Sequence, residues 1–128
     1  MKSVPRISEA EWEVMEVLWQ QSPLSSLEIV RQLGARRGWK DQTIRTMLSR
    51  LVRKKAVAYT AEGRVYRYRA SIAREKCVQE ASDSFLTRVF AGAAGSLLLH
   101  FARTGRLKAK DIAELRAVLN ETEGRSRK

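Results

Sequence analysis

The stretch KDQTIRTMLSRLVRKK, residues 40–55, spaces its apolar and polar residues as a two-faced helix does. At about 100° per residue, its side chains separate into an apolar side and a polar, basic side. The apolar set is Ile44, Met47, Leu48, Leu51 and Val52. The other side carries Gln42, Thr46, Ser49, Arg50 and Arg53, with Thr43 and Arg45 on its flanks. The pattern predicts a helix packed on a core, and leaves open whether the basic face is merely solvated or contacts nucleic acid.

Two further helices are predicted before this one. In ISEAEW, Ser8 can cap a helix and Glu11 completes a capping box, and Ser25 with Glu28 repeats the same arrangement. The second helix should end near Gly34 and be followed by the basic loop ARRG. Asp41 is a suitable N-cap for the third helix.

After the third helix the periodicity changes to that of strands. VAYTA precedes the turn residues Glu62 and Gly63, and RVYRYR follows with alternating side chains. Three helices and a basic hairpin, in this order, predict a winged helix-turn-helix whose third helix enters the major groove of DNA. The predicted fold class is therefore mostly α with a small β-hairpin wing.

From Ser71 onward the sequence again predicts helices. They carry more apolar surface than three short helices can easily bury on one another, so we expect a homodimer formed by this region. The predicted dimerisation residues are Phe85, Val89, Leu97, Leu98, Phe101, Ile112, Leu115 and Leu119. The predicted organisation is a DNA-binding domain at 1–70, a helical dimerisation region at 71–121, and a loose basic tail at 122–128.

The charge is strongly positive and unevenly distributed. The 128 residues carry a formal net charge of +11, and twelve Lys or Arg lie between Arg31 and Arg69 against only Asp41 and Glu62. Such a field attracts polyanions. The sequence shows no apolar run that predicts a signal peptide or a membrane span, and its one cysteine, Cys77, forms no internal disulfide, so we expect a cytosolic protein.

Catalytic and metal-binding patterns are missing from the sequence. There is one histidine, no plausible Ser-His-Asp or Cys-His arrangement and no phosphate-binding glycine loop. We therefore expect neither an enzyme nor a bound cofactor or metal. The three tryptophans are expected to pack in or on the core, and Tyr66 and Tyr68 to pack in the wing.

Four spaced segments resemble the penicillinase-repressor family (BlaI/MecI/CopY) of bacterial transcriptional regulators. They are WEVMEVLW, WKDQTIRTMLSRLVRKK, EGRVYRY, and SLLLHF followed by IAELRAVLNE, and the resemblance spans roughly residues 7–121. It implies a dimeric winged-helix repressor that binds a palindromic operator on double-stranded DNA, often upstream of resistance genes. Carried over by motif, the DNA-contacting positions are Gln42, Thr43, Arg45, Thr46, Arg50, Arg64 and Arg67.

The resemblance also implies a route of inactivation. Some members are cut at an Asn-Phe bond when a membrane-bound sensor detects a β-lactam, which would make a sensor-linked protease a partner. The matching bond joins His100 to Phe101, and histidine in place of asparagine leaves this cleavage open. The copper-responsive branch needs a cysteine cluster, which a lone Cys77 cannot supply.

One departure from the family concerns backbone conformation. The family usually has glycine where this chain has Ala56, and a left-handed conformation, if this position keeps it, would cost about 1 to 2 kcal/mol. An alternative function also stays open, that of a basic dimeric adaptor that binds acidic proteins. Protection of a palindromic operator would distinguish the repressor from the adaptor.

Overall fold

The computed structural model describes residues 4–126, which form six helices and three strands. In chain order the elements are α1 Glu9–Gln20, β1 Leu24–Ser25, α2 Ser26–Arg37, α3 Asp41–Arg53, β2 Val57–Glu62, β3 Val65–Ala70, α4 Arg74–Phe90, α5 Ala94–Arg103 and α6 Ala109–Ser126. The predicted fold class, mostly helical with a small hairpin, is confirmed.

One hydrophobic core lies among α1, α2, α3 and the base of the sheet. Its largest fully buried side chains include Met15, Leu18, Ile29, Leu33, Ile44, Leu48 and Leu51. The apolar face predicted for α3 is thus confirmed, with Val52 partly buried against the same cluster. Trp19 and Trp39 also pack against the core, and the indole nitrogen of Trp19 donates to the carbonyl of Ile72 at 2.9 Å.

The sheet is antiparallel in the order β1-β3-β2, and its hairpin is the predicted wing. Glu62 pairs with Val65, so the turn consists of Gly63 and Arg64, one residue later than predicted. Gly63 has a φ of 62°, a conformation that favours glycine in two-residue hairpin loops. This shift puts Arg64 at the tip of the wing.

A left-handed residue ends α3, but it does not lie at Ala56. Lys55 has a φ of 67°, whereas Ala56 is fully buried and has no positive φ. The amide of Ala56 donates to the carbonyl of Leu51, and the amide of Lys55 to that of Val52, both at 3.0 Å. This is the Schellman pattern, in which a left-handed residue lets the chain satisfy the last helical carbonyls.

Three element boundaries differ from the sequence-based predictions. The α2 helix continues through the predicted basic loop to Arg37 and ends at the left-handed Gly38. The N-cap of α3 is Lys40, and Asp41 is the first helical residue. The α6 helix runs to Ser126, so the loose conformation predicted for 122–126 is wrong, while residues 127–128 lie outside the described part.

Two compact units divide the chain, Met1–Ser82 and Asp83–Lys128. The first contains the core and extends past the predicted boundary at residue 70, because Cys77 on α4 is buried in it. In the second unit, none of the described residues is buried. The functional division at residue 70 stays a prediction.

The left-handed position gives a test of the turn that ends α3. Lys55→Gly should raise the free energy of unfolding by about 0.5 to 1 kcal/mol, because glycine removes the cost of a positive φ but adds entropy to the unfolded chain. Ala56→Gly should lower it by about 0.5 to 1 kcal/mol. Urea unfolding measures both, and stabilisation by Ala56→Gly would contradict the assignment.

Candidate nucleic-acid interface

The outward face of α3 forms one continuous polar surface. Gln42, Thr43, Arg45 and Arg50 are exposed, and Thr46 is half-buried. Their outward direction follows from the burial of Ile44 and the other apolar residues of α3. The structure therefore brings together the five positions predicted on this helix.

Local hydrogen bonds hold part of this surface in place. A guanidinium nitrogen of Arg45 donates to the hydroxyl of Ser26, in the first turn of α2, at 2.9 Å. The hydroxyl of Thr46 donates to the carbonyl of Gln42 at 2.8 Å. Within residues 4–126, Arg50 forms no ion pair or side-chain hydrogen bond with another residue. One arginine is thus oriented by the fold, and the other extends into solvent.

The start of α3 leaves its first backbone amides without a side-chain cap, and the carboxylate of Asp41 lies in the same turn. No side chain caps this helix, since its N-cap Lys40 supplies only a backbone carbonyl. The first amide groups of a helix lack intrahelical partners, and the helix dipole makes this end attractive to negative charge. Backbone amides of α3 are therefore available beside the exposed side chains of Gln42 and Thr43.

The wing carries the two predicted arginines in different environments. Arg64 is exposed in the turn. Arg67 is half-buried and bridges two carboxylates, with Nε 2.7 Å from Glu62 and a terminal nitrogen 3.5 Å from Glu28. The hydrogen bond and the charge of Glu62 raise the pKa of Arg67 above its ordinary value. Arg67 therefore lies in the wing, but its charge is already paired with the two carboxylates.

Two exposed tyrosines of the wing form a pair that was not predicted to contact DNA. The rings of Tyr59 and Tyr66 lie 4.6 Å apart, and the two residues are 46% and 49% exposed. Tyr68 is half-buried with its ring 5.9 Å from that of Tyr59, so the prediction of a packing role fits Tyr68 better than Tyr66. The strand register is the signal for the exposure of Tyr66, because it places Tyr66 opposite Ala61, a small residue.

An ion pair between the half-buried Lys54 and the buried Glu11 connects the end of α3 to the start of α1. The ammonium of Lys54 lies 2.6 Å from a carboxylate oxygen of Glu11 and 2.7 Å from the carbonyl oxygen of Arg6. The same carboxylate accepts the amide hydrogen of Ser8 at 2.9 Å, which completes the predicted capping box. Lys54 is therefore a structural residue that connects α3 to α1.

The pKa of Glu11 reflects this arrangement. Burial raises the pKa, but the hydrogen bonds from Lys54 and Ser8 and the charge of Lys54 together bring it below the ordinary value of 4.5. A group whose pKa is lower in the folded than in the unfolded state stabilises the fold above its unfolded pKa. This contribution should disappear as the pH falls below about 4.5.

Other kinds of site have little support. No three His, Cys, Asp or Glu side chains among residues 4–126 are grouped so that they could hold a metal ion. Cys77 is buried, and burial raises the pKa of its thiol, which disfavours the reactive thiolate. No single helix of the described chain is long and apolar enough to cross a membrane. The consecutive helices α4 and α5 reach the required length and composition only when taken together, and they are bent by 86°.

The sequence profile of the penicillinase repressor family matches residues 7–121. The chain belongs to the penicillinase repressor family. It is 37% identical over 127 residues to the penicillinase repressor of Bacillus licheniformis, covering 99% of both chains. It is 30% identical over 115 residues to the methicillin resistance regulatory protein MecI of Staphylococcus aureus strain N315, covering 90% of this chain and 94% of that one.

The solved structure of a relative is similar to part of the chain. It is the monomeric form of BlaI from Bacillus licheniformis in complex with the blaP half-operator, with 41% identity and a TM-score of 0.52. The match covers 59% of this chain and 93% of that one. The family membership and this match agree with the winged-helix fold.

The Lys54–Glu11 pair yields a pH-dependent prediction. Lys54→Met should lower the free energy of unfolding at pH 7 by about 1.5 to 3 kcal/mol, because it leaves the carboxylate of Glu11 buried without its charged partner. The deficit should shrink below about pH 4.5, where Glu11 becomes protonated. Urea unfolding of both proteins between pH 3 and 7 measures this difference.

The matched control combines Lys54→Met with Glu11→Gln. Glutamine still accepts the capping hydrogen bond but carries no charge, so the double variant should be more stable at pH 7 than Lys54→Met alone. A deficit in Lys54→Met that stayed constant across this pH range would contradict the role of the Glu11 charge.

Proposed function

We propose that this protein is a transcriptional repressor that binds double-stranded operator DNA, with α3 in the major groove. The observation that carries the proposal is the exposed face of α3, where Gln42, Thr43, Arg45 and Arg50 lie opposite a largely buried apolar face. An α-helix with such a face fits the width of the major groove. The half-operator complex of the BlaI relative supports the same use of the fold.

The proposed contacts follow from the chemistry of each side chain. Arg45 and Arg50 can each donate two hydrogen bonds to O6 and N7 of a guanine, whereas Thr43 and Thr46 can contact phosphates or a thymine methyl group. The uncapped start of α3 suits a phosphate. These contacts would combine sequence recognition with a large electrostatic contribution from the +11 charge.

The wing would contact the phosphate backbone of the DNA next to the major groove. Arg64 at the turn is exposed and suits a phosphate. Arg67 would first have to leave Glu62 or share its guanidinium between carboxylate and phosphate. We therefore propose that Arg67 mainly holds the wing against the first turn of α2, through Glu28, and that Arg64 makes the wing contact.

We further propose that the protein acts as a homodimer formed by the second unit. The predicted interface residues are all incompletely buried, and Val89, Leu98 and Leu119 are 56%, 39% and 49% exposed. Apolar surface of this extent is typical of a protein interface. The two copies of α3 in such a dimer would act as recognition helices related by a two-fold axis, so the operator would have to be an inverted repeat.

The regulated genes and the mode of release belong to the same proposal. The names of the relatives, penicillinase repressor and methicillin resistance regulatory protein, favour genes of β-lactam resistance or related functions. The predicted scissile bond between His100 and Phe101 lies inside α5. Because proteases bind extended chain, cleavage would require local unfolding of α5, and a sensor-linked protease as partner stays a prediction.

The alternative of a basic adaptor for acidic proteins also uses the positive charge. It gives no account of why the exposed residues of α3 include threonines and a glutamine that can contact base edges and phosphates. DNase protection of a palindrome upstream of the protein's own gene would support the repressor. Binding to acidic polymers with the same affinity as to this DNA would support the adaptor.

Removing Arg45 should weaken operator binding in a base-dependent way. Arg45→Ala should lower the affinity by about 1 to 3 kcal/mol and relax the preference at one base pair of each half-site. Arg45→Lys keeps the charge but loses the paired hydrogen bonds, so it should recover affinity without recovering the preference. Fluorescence anisotropy with operator variants measures both quantities.

The matched control is Arg106→Ala, which removes an exposed arginine between α5 and α6. It should leave affinity and base preference nearly unchanged. If Arg45→Ala weakened binding to all sequences equally, Arg45 would contact phosphate rather than a base. No loss at all in Arg45→Ala would contradict the proposed interface.

The dimer can be tested on the exposed surface of α5. Leu98→Glu places a charge in the proposed apolar interface and should yield monomers that bind the full operator less tightly. Ser96→Glu, two residues earlier on the same helix, should remain a dimer. Analytical ultracentrifugation measures the mass, and a dimeric Leu98→Glu protein would contradict the proposed interface.

A further inference from the structure

A cavity of about 1080 Å³ lies within the first unit, beside the turn that ends α3. This volume is comparable to that of small-molecule sites, which span about 300 to 1,000 Å³. Its lining includes Val52, Ala58, Tyr59, Ile72, Lys55 and Lys76, a set that we call the lysine pocket. The pocket is separate from the outward face of α3 proposed to contact DNA.

The walls of the lysine pocket combine an apolar surface with positive charge. Val52, Ala58 and Ile72 are each partly exposed. Lys54 is also part of the lining, but its ammonium is engaged by Glu11. Lys55 and Lys76 are exposed, and neither forms an ion pair with any residue between 4 and 126. Two lysines that no carboxylate of the described chain neutralises therefore line the pocket.

Hydrogen bonds fix the rim of the pocket. The hydroxyl of Ser71 donates to the carbonyl of Lys55 at 2.7 Å, and its amide donates to the carbonyl of Ala56 at 2.9 Å. The carbonyl of Ile72 accepts the indole hydrogen of Trp19. The segment between β3 and α4 is therefore held on both sides, so the cavity is largely preformed, as ligand sites usually are.

We propose that the lysine pocket binds an organic anion with an apolar body and a carboxylate head. The apolar walls would remove the body from water, while Lys55 and Lys76 would pair with the carboxylate. A neutral molecule of the same shape would lack the ion pairs, and inorganic phosphate would lack the apolar contact. The proposal concerns the DNA-free protein and does not depend on the proposed operator binding.

The test uses 4-phenylbutyrate as the probe and 4-phenyl-1-butanol as its neutral match. In a ¹H–¹⁵N NMR titration of the full chain, 4-phenylbutyrate should give saturable shifts at the amides of Ala58, Ser71 and Ala73. Its affinity should exceed that of the alcohol about five- to tenfold, the effect of two partly exposed ion pairs. Inorganic phosphate should compete only weakly.

Two double variants locate the charge. Lys55→Asn with Lys76→Gln should lower the affinity for 4-phenylbutyrate about five- to tenfold. Asparagine is chosen because it tolerates the left-handed conformation of residue 55. Lys108→Gln with Lys110→Gln, in the second unit, removes the same charge and should leave the affinity unchanged.

Each other outcome overturns the proposal. Equal affinity for the alcohol, or shifts spread away from the pocket, would remove the role of the two lysines. Phosphate that competes as strongly as the carboxylate would mean that the lysines form only a basic patch. Unchanged spectra with 4-phenylbutyrate would exclude this class of ligand, while leaving operator binding to be decided by its own experiment.

Discussion

Burial of one face of α3 is the constraint on which the rest of the structure depends. Ile44 and Leu51 are fully buried and α3 contacts both α1 and α2, so the helix cannot rotate about its axis without exposing apolar surface. The orientation of the helix about its axis therefore determines which of its side chains reach solvent. The Schellman turn and the Lys54–Glu11 pair then fix where the helix ends and how it is tied to α1. Stability and the proposed recognition surface therefore arise from the same packing.

The first turn of α2 connects the two parts of the proposed interface. Ser26 accepts a hydrogen bond from Arg45 of α3, and Glu28 pairs with Arg67 of the wing. Glu28 also forms the capping box with Ser25, which itself belongs to the sheet through β1. One helical turn thus links helix, wing and sheet. Such links reduce the freedom of side chains before binding, which lowers the entropy that association must overcome.

Much of the fold could be predicted from the sequence because local signals agreed. Both capping boxes and the apolar periodicity of α3 identified elements that the structure contains. Errors arose at boundaries, where weak local preferences compete with tertiary contacts. The ARRG segment was predicted as a loop, yet it continues α2, and Arg37 on it pairs with Glu13 of α1. The left-handed conformation falls on Lys55 rather than on Ala56, because the hydrogen bonds of the turn, and not the residue type, decide its position.

The sequence by itself determined the class of fold, the two faces of α3 and the concentration of charge, since these depend on periodicity and composition. Only the tertiary structure decided which charged residues are already engaged. Lys54 and Arg67 look like free cations in sequence, but the fold places Lys54 beside Glu11 and Arg67 beside Glu28, both distant along the chain. The Tyr59–Tyr66 pair and the lysine pocket also depend on strand pairing and on the path between β3 and α4. Periodicity specifies the direction of a side chain from its own element, whereas its partners depend on how elements distant in sequence meet.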